Sequence, residues 1–144
     1  MKTDNNVSRV LHDDGVPLVL LGSSVENKLN ANLLGLRRLA GDVSSWAARV
    51  AINDAFGAVV ICQQPGEGNR LHYHLDADEM WVILEGAANY IVEGDNGEMF
   101  GMVAQTGDII VVTAGRRHMI TAVGEYPAVR LAVTKPNVEH TYAE

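Results

Sequence analysis

Three histidines and one glutamate are the residues of this sequence whose types and spacing could do chemistry: His72, His74, Glu79 and His118. His72 and His74 are two positions apart. Because the side chains of a β-strand alternate between its two faces, both imidazoles would point to the same side. Neutral imidazole nitrogens suit zinc, copper, iron and nickel, and a carboxylate adds a harder, negatively charged ligand. The pattern therefore predicts a site for one divalent transition metal.

The elements that must position these residues are predicted to be strands. From residue 44 onward, short runs rich in Val, Ile, Ala and aromatic residues are separated by turn-forming residues. We predict strands over 46–52, 58–63, 70–75, 80–84, 88–93, 99–104, 108–113, 118–123 and 129–133. Many short strands at intervals of about 8 to 12 residues are typical of a β-sandwich or β-barrel. The predicted fold class is all-β.

Glu79 follows His74 by an odd number of positions, which on an uninterrupted strand would place it on the opposite face. The segment between them contains Asp76 and Asp78, and aspartate favours turns. We therefore expect the chain to bend there and Glu79 to begin the next strand. His118 would come from a further strand, and a site built on several strands of a barrel is rigid enough to hold metal geometry.

The length of 144 residues is that of one domain. We predict that residues 44–144 form a single barrel domain and that residues 1–43 form an N-terminal extension. The apolar segment 16–21 is a candidate strand of that extension, which is expected to pack on the barrel or on a partner subunit.

One short helix is predicted in the extension, over about residues 24–39. Ser23 and Glu26 match a capping box at its start, and Gly41 is a typical helix stop. The apolar residues that fall on one stripe of this helix are Leu29, Leu33, Leu36 and Ala40.

Composition limits the partners and the compartment. A net charge of −7 argues against a nucleic-acid partner, which would require a basic face. The single cysteine, Cys62, lies in an apolar run and is expected to be a buried thiol in a reducing compartment. Residues 1–10 lack the apolar core of a signal peptide, and no apolar run is long enough to span a bilayer. We predict a cytoplasmic protein without a membrane partner.

Several of these residues also stand at fixed intervals from glycines. The first group is Gly66, His72, His74, Glu79 and Gly86, and the second is Gly107, Gly115 and His118. Both groups resemble the two signature motifs of the cupin superfamily, specifically its small single-domain, cupin-2-like members. Thr113 replaces the usual proline and Ala122 the usual asparagine of the second motif; neither position is a metal ligand in the family.

The resemblance to cupins implies a jelly-roll β-barrel that holds one divalent metal, which could be Fe, Mn, Ni, Zn or Cu. The implied ligands are His72, His74, Glu79 and His118.

Three residues near the proposed metal are candidates for substrate binding. Arg70 has the same strand parity as His72, so it either faces the lumen as a receptor for a carboxylate or phosphate, or pairs with an acidic residue at the barrel mouth. Trp81 is predicted to face inward from the strand that Glu79 opens, whereas the face of Tyr90 is not determined by the pattern. Both aromatic residues would serve either a substrate pocket or the filling of the barrel, with filling slightly favoured.

Two classes of function are compatible with these residues. The first is a metalloenzyme acting on a small organic molecule, anionic if Arg70 is its receptor, with a dioxygenase favoured over a metal-dependent isomerase, epimerase or lyase. The second is a non-catalytic barrel that binds a small molecule.

A homodimer is expected because the extension carries apolar residues that one small barrel would leave exposed. The remaining histidines, His12 and His140, lie near the two ends of the sequence and are predicted to be solvated.

Overall fold

Two β-sheets face each other in the computed structural model, which describes residues 18–142. The strands are β1 (Val19–Leu20), β2 (Trp46–Ile52), β3 (Gly57–Gln63), β4 (His72–Tyr73), β5 (Glu79–Glu85), β6 (Ala87–Glu93), β7 (Met99–Gln105), β8 (Ile109–Val112), β9 (His118–Val123), β10 (Ala128–Thr134) and β11 (Thr141–Tyr142). A 3-10 helix spans Ser23–Val25 and helix α1 spans Leu33–Ala40. The all-β prediction is confirmed, with one short helix near the N-terminus.

The larger sheet has six strands in the order β1-β2-β3-β10-β5-β8, and the smaller has five in the order β11-β4-β9-β6-β7. All the pairs are antiparallel except β1 with β2. The predicted strands 46–52 and 118–123 have the observed bounds, and most others differ by one or two residues at an end. The strand predicted at 70–75 is shorter, and β11 was not predicted.

Alternating side chains from both sheets fill the space between them. We call this set the lumen cluster; it consists of Trp81, Ile83, Ala88, Tyr90, Ala104, Ile110, Val112 and Ile120. Trp81 is 1% exposed, whereas its neighbour Met80 is 37% exposed. This alternation is the predicted one for β5, and it makes the barrel interior a packed core next to the proposed site.

Helix α1 covers the outer face of the larger sheet. The outer cluster there consists of Leu36, Ala40, Trp46, Ala48, Val60, Cys62 and Val129. The buried thiol predicted for Cys62 is therefore observed, and burial raises its pKa. The division of the chain at residues 43 and 44 stays a prediction.

The predicted start of the helix was wrong. The capping box predicted at Ser23 does not form, since the 3-10 helix that begins there has no side-chain cap. Helix α1 starts eight residues beyond that turn, where the side chain of Asn32 accepts a hydrogen bond from the backbone N–H of Gly35 (2.9 Å). An asparagine at this position satisfies one of the unpaired N–H groups of the first turn. Leu29 is fully exposed and does not belong to the apolar stripe. The helix ends at Gly41 as predicted.

Two glycines of the first motif occupy turns at either end of the site-bearing segment. Gly66 and Gly86 have φ angles of 92° and 75°, a backbone region that favours glycine. At Gly86 a Cβ atom would also lie 2.5 Å from the carbonyl oxygen of Pro127. A side chain is therefore excluded at that turn by both conformation and space.

Among residues 18–142, no helix has the length and apolar character needed to cross a membrane.

Candidate metal centre

The three histidines and the glutamate come from both sheets and meet at one end of the barrel. His72 on β4 is directly paired with His118 on β9, so the two imidazoles lie side by side on the same face of the smaller sheet. His74 follows β4 immediately, and its carbonyl oxygen accepts a hydrogen bond from the N–H of Gly115 (2.7 Å). The chain then turns, and Glu79 is the first residue of β5 in the larger sheet. The predicted bend before Glu79 is therefore observed.

One potential ligand atom from each of these four residues lies within 4.8 Å of the other three. The histidines are each 1% exposed and Glu79 is 7% exposed. Four buried donors so close together form a cluster consistent with one transition metal ion.

The backbone holds the histidine rings in the orientation that a metal would need. The Nδ1 atoms of His72, His74 and His118 lie 2.6, 3.1 and 2.9 Å from the carbonyl oxygens of Arg70, Glu139 and Arg116, respectively. A carbonyl oxygen can only accept, so each Nδ1 carries the proton and each Nε2 faces the cluster.

Two of those nitrogens, Nε2 of His72 and Nε2 of His118, are buried and have no hydrogen-bond partner among residues 18–142. Buried polar atoms seldom lack a partner in folded proteins, and one metal ion could bind both of these nitrogens. The residues present therefore fit a divalent metal.

Glu79 contacts both the histidines of the metal site and Trp81 of the lumen cluster. One carboxylate oxygen, Oε2, lies 2.6 Å from His74 Nε2 and 3.6 Å from His118 Nε2. The other, Oε1, accepts a hydrogen bond from Trp81 Nε1. Trp81 thereby fixes the plane of the carboxylate and directs Oε2 at the histidines.

The electrostatics of the cluster follow from this geometry. Burial acts to raise the pKa of Glu79, but its contacts with His118 and His74 outweigh burial and hold the pKa well below its usual value. Burial acts to lower the pKa of His74, but the hydrogen bond and the charge of Glu79 raise it above its usual value. The contact between His74 and Glu79 thus favours the charged form of each group.

His72 stays neutral in the same surroundings. Burial, followed by the charge of His118, lowers its pKa to about 4. The neutral ring is the form that binds a metal.

The prediction that His140 is solvated was wrong. Its ring lies against His72, with the centroids 4.4 Å apart and the planes at 29°, and edge-on to His74 at 4.3 Å. Burial, followed by the charges of His72 and His74, lowers its pKa to about 3. Only its sequence position near the C-terminus suggested exposure, and strand β11 brings that end back to the site. His12 lies outside the described residues.

Of the predicted substrate-binding residues, Arg70 lies at the surface, whereas Trp81 and Tyr90 are buried in the lumen cluster. Arg70 is exposed, and its guanidinium carbon lies 4.2 Å from the ring centroid of Tyr142. Trp81 contacts His118, with ring centroids 5.5 Å apart, and also Tyr90, at 5.9 Å. Tyr90 faces the lumen and is 7% exposed. Roles for these three residues in substrate binding stay predictions.

Sequence reasoning missed a buried arginine in the lumen. Arg130 on β10 pairs with Ile83, so it faces the same side as that member of the lumen cluster, and it is 3% exposed. Its guanidinium donates to Gln63 Oε1 (2.5 Å) and to Asn69 Oδ1 (3.2 Å) and lies 5.9 Å from the Trp81 ring. A single charged residue inside the apolar run 129–133 was the signal that could have revealed it.

The sequence matches the cupin domain family Cupin_2 over residues 59–134. The protein belongs to this family. No curated protein matches the chain. The resemblance to cupins noted from the two motifs is thereby confirmed, and the four clustered residues are the ones that this resemblance implied as metal ligands.

Solved structures with a similar fold include oxalate-degrading enzymes. A structure of Bacillus subtilis oxalate decarboxylase, described for its Mn(II) centres, is 25% identical, with a TM-score of 0.54 over 59% of this chain and 22% of that one. The Lactobacillus farciminis oxalate decarboxylase in its formate complex is 23% identical, with a TM-score of 0.61 over 69% of this cupin and 31% of that chain. The cupin thus spans less than a third of the length of either enzyme.

A smaller neighbour matches over most of its own length. It is an uncharacterized conserved protein with a double-stranded β-helix domain from Klebsiella pneumoniae, 22% identical, with a TM-score of 0.61 over 72% of this chain and 83% of that chain. At this identity the similarity shows the fold alone.

Proposed function

We propose that this cupin is a metalloenzyme that binds one divalent transition metal and acts on a small, anionic organic molecule, with dioxygenase chemistry favoured. The proposed ligands are Nε2 of the three histidines and the carboxylate of Glu79. The observation that carries the proposal is the convergence of four buried donor atoms within 4.8 Å of one another. The fixed tautomers of the histidines support it, because each Nδ1 is already committed to a carbonyl oxygen.

A divalent ion held by these four residues would supply Lewis-acid or redox chemistry toward a small organic substrate. The chain's own residues hold the site and keep it dry. Trp81 orients the Glu79 carboxylate, and together with Tyr90 it forms an apolar wall that excludes water from the lumen side. Exclusion of water strengthens every electrostatic interaction inside the site.

The charge of the lumen supports an anionic substrate. Arg130 places a guanidinium inside the barrel, 5.9 Å from the Trp81 ring, where it donates to Gln63 Oε1 and Asn69 Oδ1, and the positive charge favours an anion nearby. Arg70, the arginine singled out from the sequence, lies at the exposed edge of the site and would meet an anion on its way in. Since Mn(II) and oxalate are named for structural neighbours, they are the first metal and substrate to test.

The test combines metal analysis with oxygen uptake. Protein purified without added metal is assayed for Fe, Mn, Ni, Zn and Cu, and then for oxygen consumption with oxalate and other small carboxylates. We expect one metal per chain and substrate-dependent oxygen uptake. Metal with product formation but no oxygen uptake would favour an isomerase or lyase instead, and tight binding without turnover would favour a binding protein.

A matched pair of variants makes this test specific. Glu79→Gln removes the charged ligand at the start of β5, whereas Glu85→Gln makes the same change at the other end of the strand, where the side chain is 43% exposed and pairs with Arg37. We expect Glu79→Gln to lose metal and Glu85→Gln to retain it. Equal metal content in both variants, or none in the unmodified protein, would contradict the proposal.

A further inference from the structure

The C-terminal segment of the described chain reaches back to the candidate metal centre. Val138 is 6% exposed, and strand β11 pairs with β4, the strand that carries His72. The carbonyl oxygen of Glu139 accepts the hydrogen bond from His74 Nδ1. Tyr142 is held in turn under the guanidinium of Arg70. This segment is therefore part of the site's framework rather than a tail outside it.

His140 is the side chain that this segment brings to the site. Its ring is stacked on His72 and meets His74 edge-on, so two of the proposed ligands fix its position. It contributes no atom to the set of four potential ligand atoms. His140 thus lies beside the coordination sphere, not in it.

One ring nitrogen of His140 makes no hydrogen bond to the described part of the chain. Its Nδ1 is buried and has no hydrogen-bond partner among residues 18–142. Burying a polar atom without a partner is unfavourable, and such atoms in native proteins usually meet a water molecule, an ion or a ligand. A molecule bound at the metal would bring an acceptor oxygen next to two of the rings that His140 touches.

We propose that His140 is a ligand-contacting residue whose Nδ1–H donates a hydrogen bond to an oxygen of a small carboxylate bound at the metal. This inference rests on the proposed function, since it requires the metal to be present. It assigns His140 a share in binding and orienting the substrate, and it makes the C-terminal segment a determinant of substrate choice. Small anions with an oxygen acceptor are the class of ligand that fits.

The experiment uses the full chain loaded with Co(II), whose visible absorption reports on coordination, and titrates it with formate. His140→Phe keeps an aromatic ring for packing but removes the hydrogen bond. His140→Asn retains an N–H donor near the position of Nδ1. Thr141→Val, at the exposed residue that follows His140 and begins β11, is the control.

We expect His140→Phe to bind Co(II) as tightly as the unmodified protein and to bind formate about tenfold more weakly, the effect of losing one hydrogen bond to an anion. His140→Asn should recover part of that affinity, and Thr141→Val should match the unmodified protein. Unchanged formate affinity in His140→Phe would overturn the inference, as would a formate titration that leaves the Co(II) bands of the unmodified protein unmoved.

Two further outcomes separate this inference from the proposed function. If His140→Phe weakens Co(II) binding itself by tenfold or more, His140 is a metal ligand and the inference is wrong, although the metal site stands. If the unmodified protein binds no Co(II), the proposed function fails first.

Discussion

Replacing Trp81 with phenylalanine removes one hydrogen bond from the centre while leaving an aromatic ring in the lumen. In the structure, Trp81 Nε1 donates to Glu79 Oε1, so that Oε2 faces His74 and His118. Trp81→Phe should therefore leave the Glu79 carboxylate free to rotate and one of its oxygens buried without a partner.

The magnitude follows from the type of hydrogen bond. A hydrogen bond to a charged group contributes about 1.5–3 kcal/mol, and leaving the buried carboxylate oxygen unpaired adds to the loss. Since about 1.4 kcal/mol corresponds to a factor of ten in a dissociation constant, metal affinity should fall by roughly 10- to 100-fold. Mutations of groups that orient metal ligands commonly have effects of about this size.

Metal affinity is measured by competition with a chelator of known strength, for Mn(II) and Zn(II). Trp46→Phe is the matched control, because Trp46 is 3% exposed but belongs to the outer cluster beneath helix α1. It should lower the free energy of unfolding and leave metal affinity unchanged. Unchanged metal affinity in Trp81→Phe, or an equal loss in both variants, would refute the idea that this hydrogen bond orients the ligand.

Three other predictions concern stability and assembly. Gly68→Ala would place a Cβ 2.0 Å from the carbonyl oxygen of Ile120, so the free energy of unfolding, measured in urea, should fall by about 1–3 kcal/mol. Gly22→Ala is the control, because its added Cβ would lie in open space, and it should change the free energy of unfolding by less than about 0.5 kcal/mol. Asn32→Ala removes the cap of α1 and should cost about 1 kcal/mol in the same assay, and a cost near zero would contradict the capping role. A homodimer is expected in sedimentation velocity at micromolar concentration, because Leu34 and other apolar residues of α1 are exposed, and a monomer would rule it out.

Most of the fold was predictable because strands and turns are indicated by short, local sequence patterns. Apolar runs and turn residues gave the strands from β2 to β10, and strand alternation placed Trp81 inside the barrel. Local chemistry also explained how Glu79 reaches the same site as His74, since the turn-forming residues between them break the strand.

The features that the sequence analysis predicted wrongly or did not predict share a different cause, because they depend on contacts between residues far apart in the chain. Helix α1 begins at Leu33, after its cap Asn32, whereas the helix was predicted to begin next to Ser23. The observed start is the one that leaves Leu36 and Ala40 packed against the sheet. That choice depends on contacts with the outer cluster, which no local pattern contains.

His140 and Arg130 were missed for the same reason. His140 reaches the site through a two-residue strand that is too short to give a periodic signal, and its partner β4 is 65 or more residues away in sequence. Arg130 interrupts an apolar strand, but its buried position is set by pairing with β3 and β5.

The central claim is that one metal ion lies among His72, His74, Glu79 and His118. An anomalous-difference map from crystals grown with Mn(II) tests it most directly. We expect one strong peak per chain, within bonding distance of the three Nε2 atoms and a Glu79 oxygen. A map with no peak at that point, in protein that is otherwise folded as described, would contradict the account.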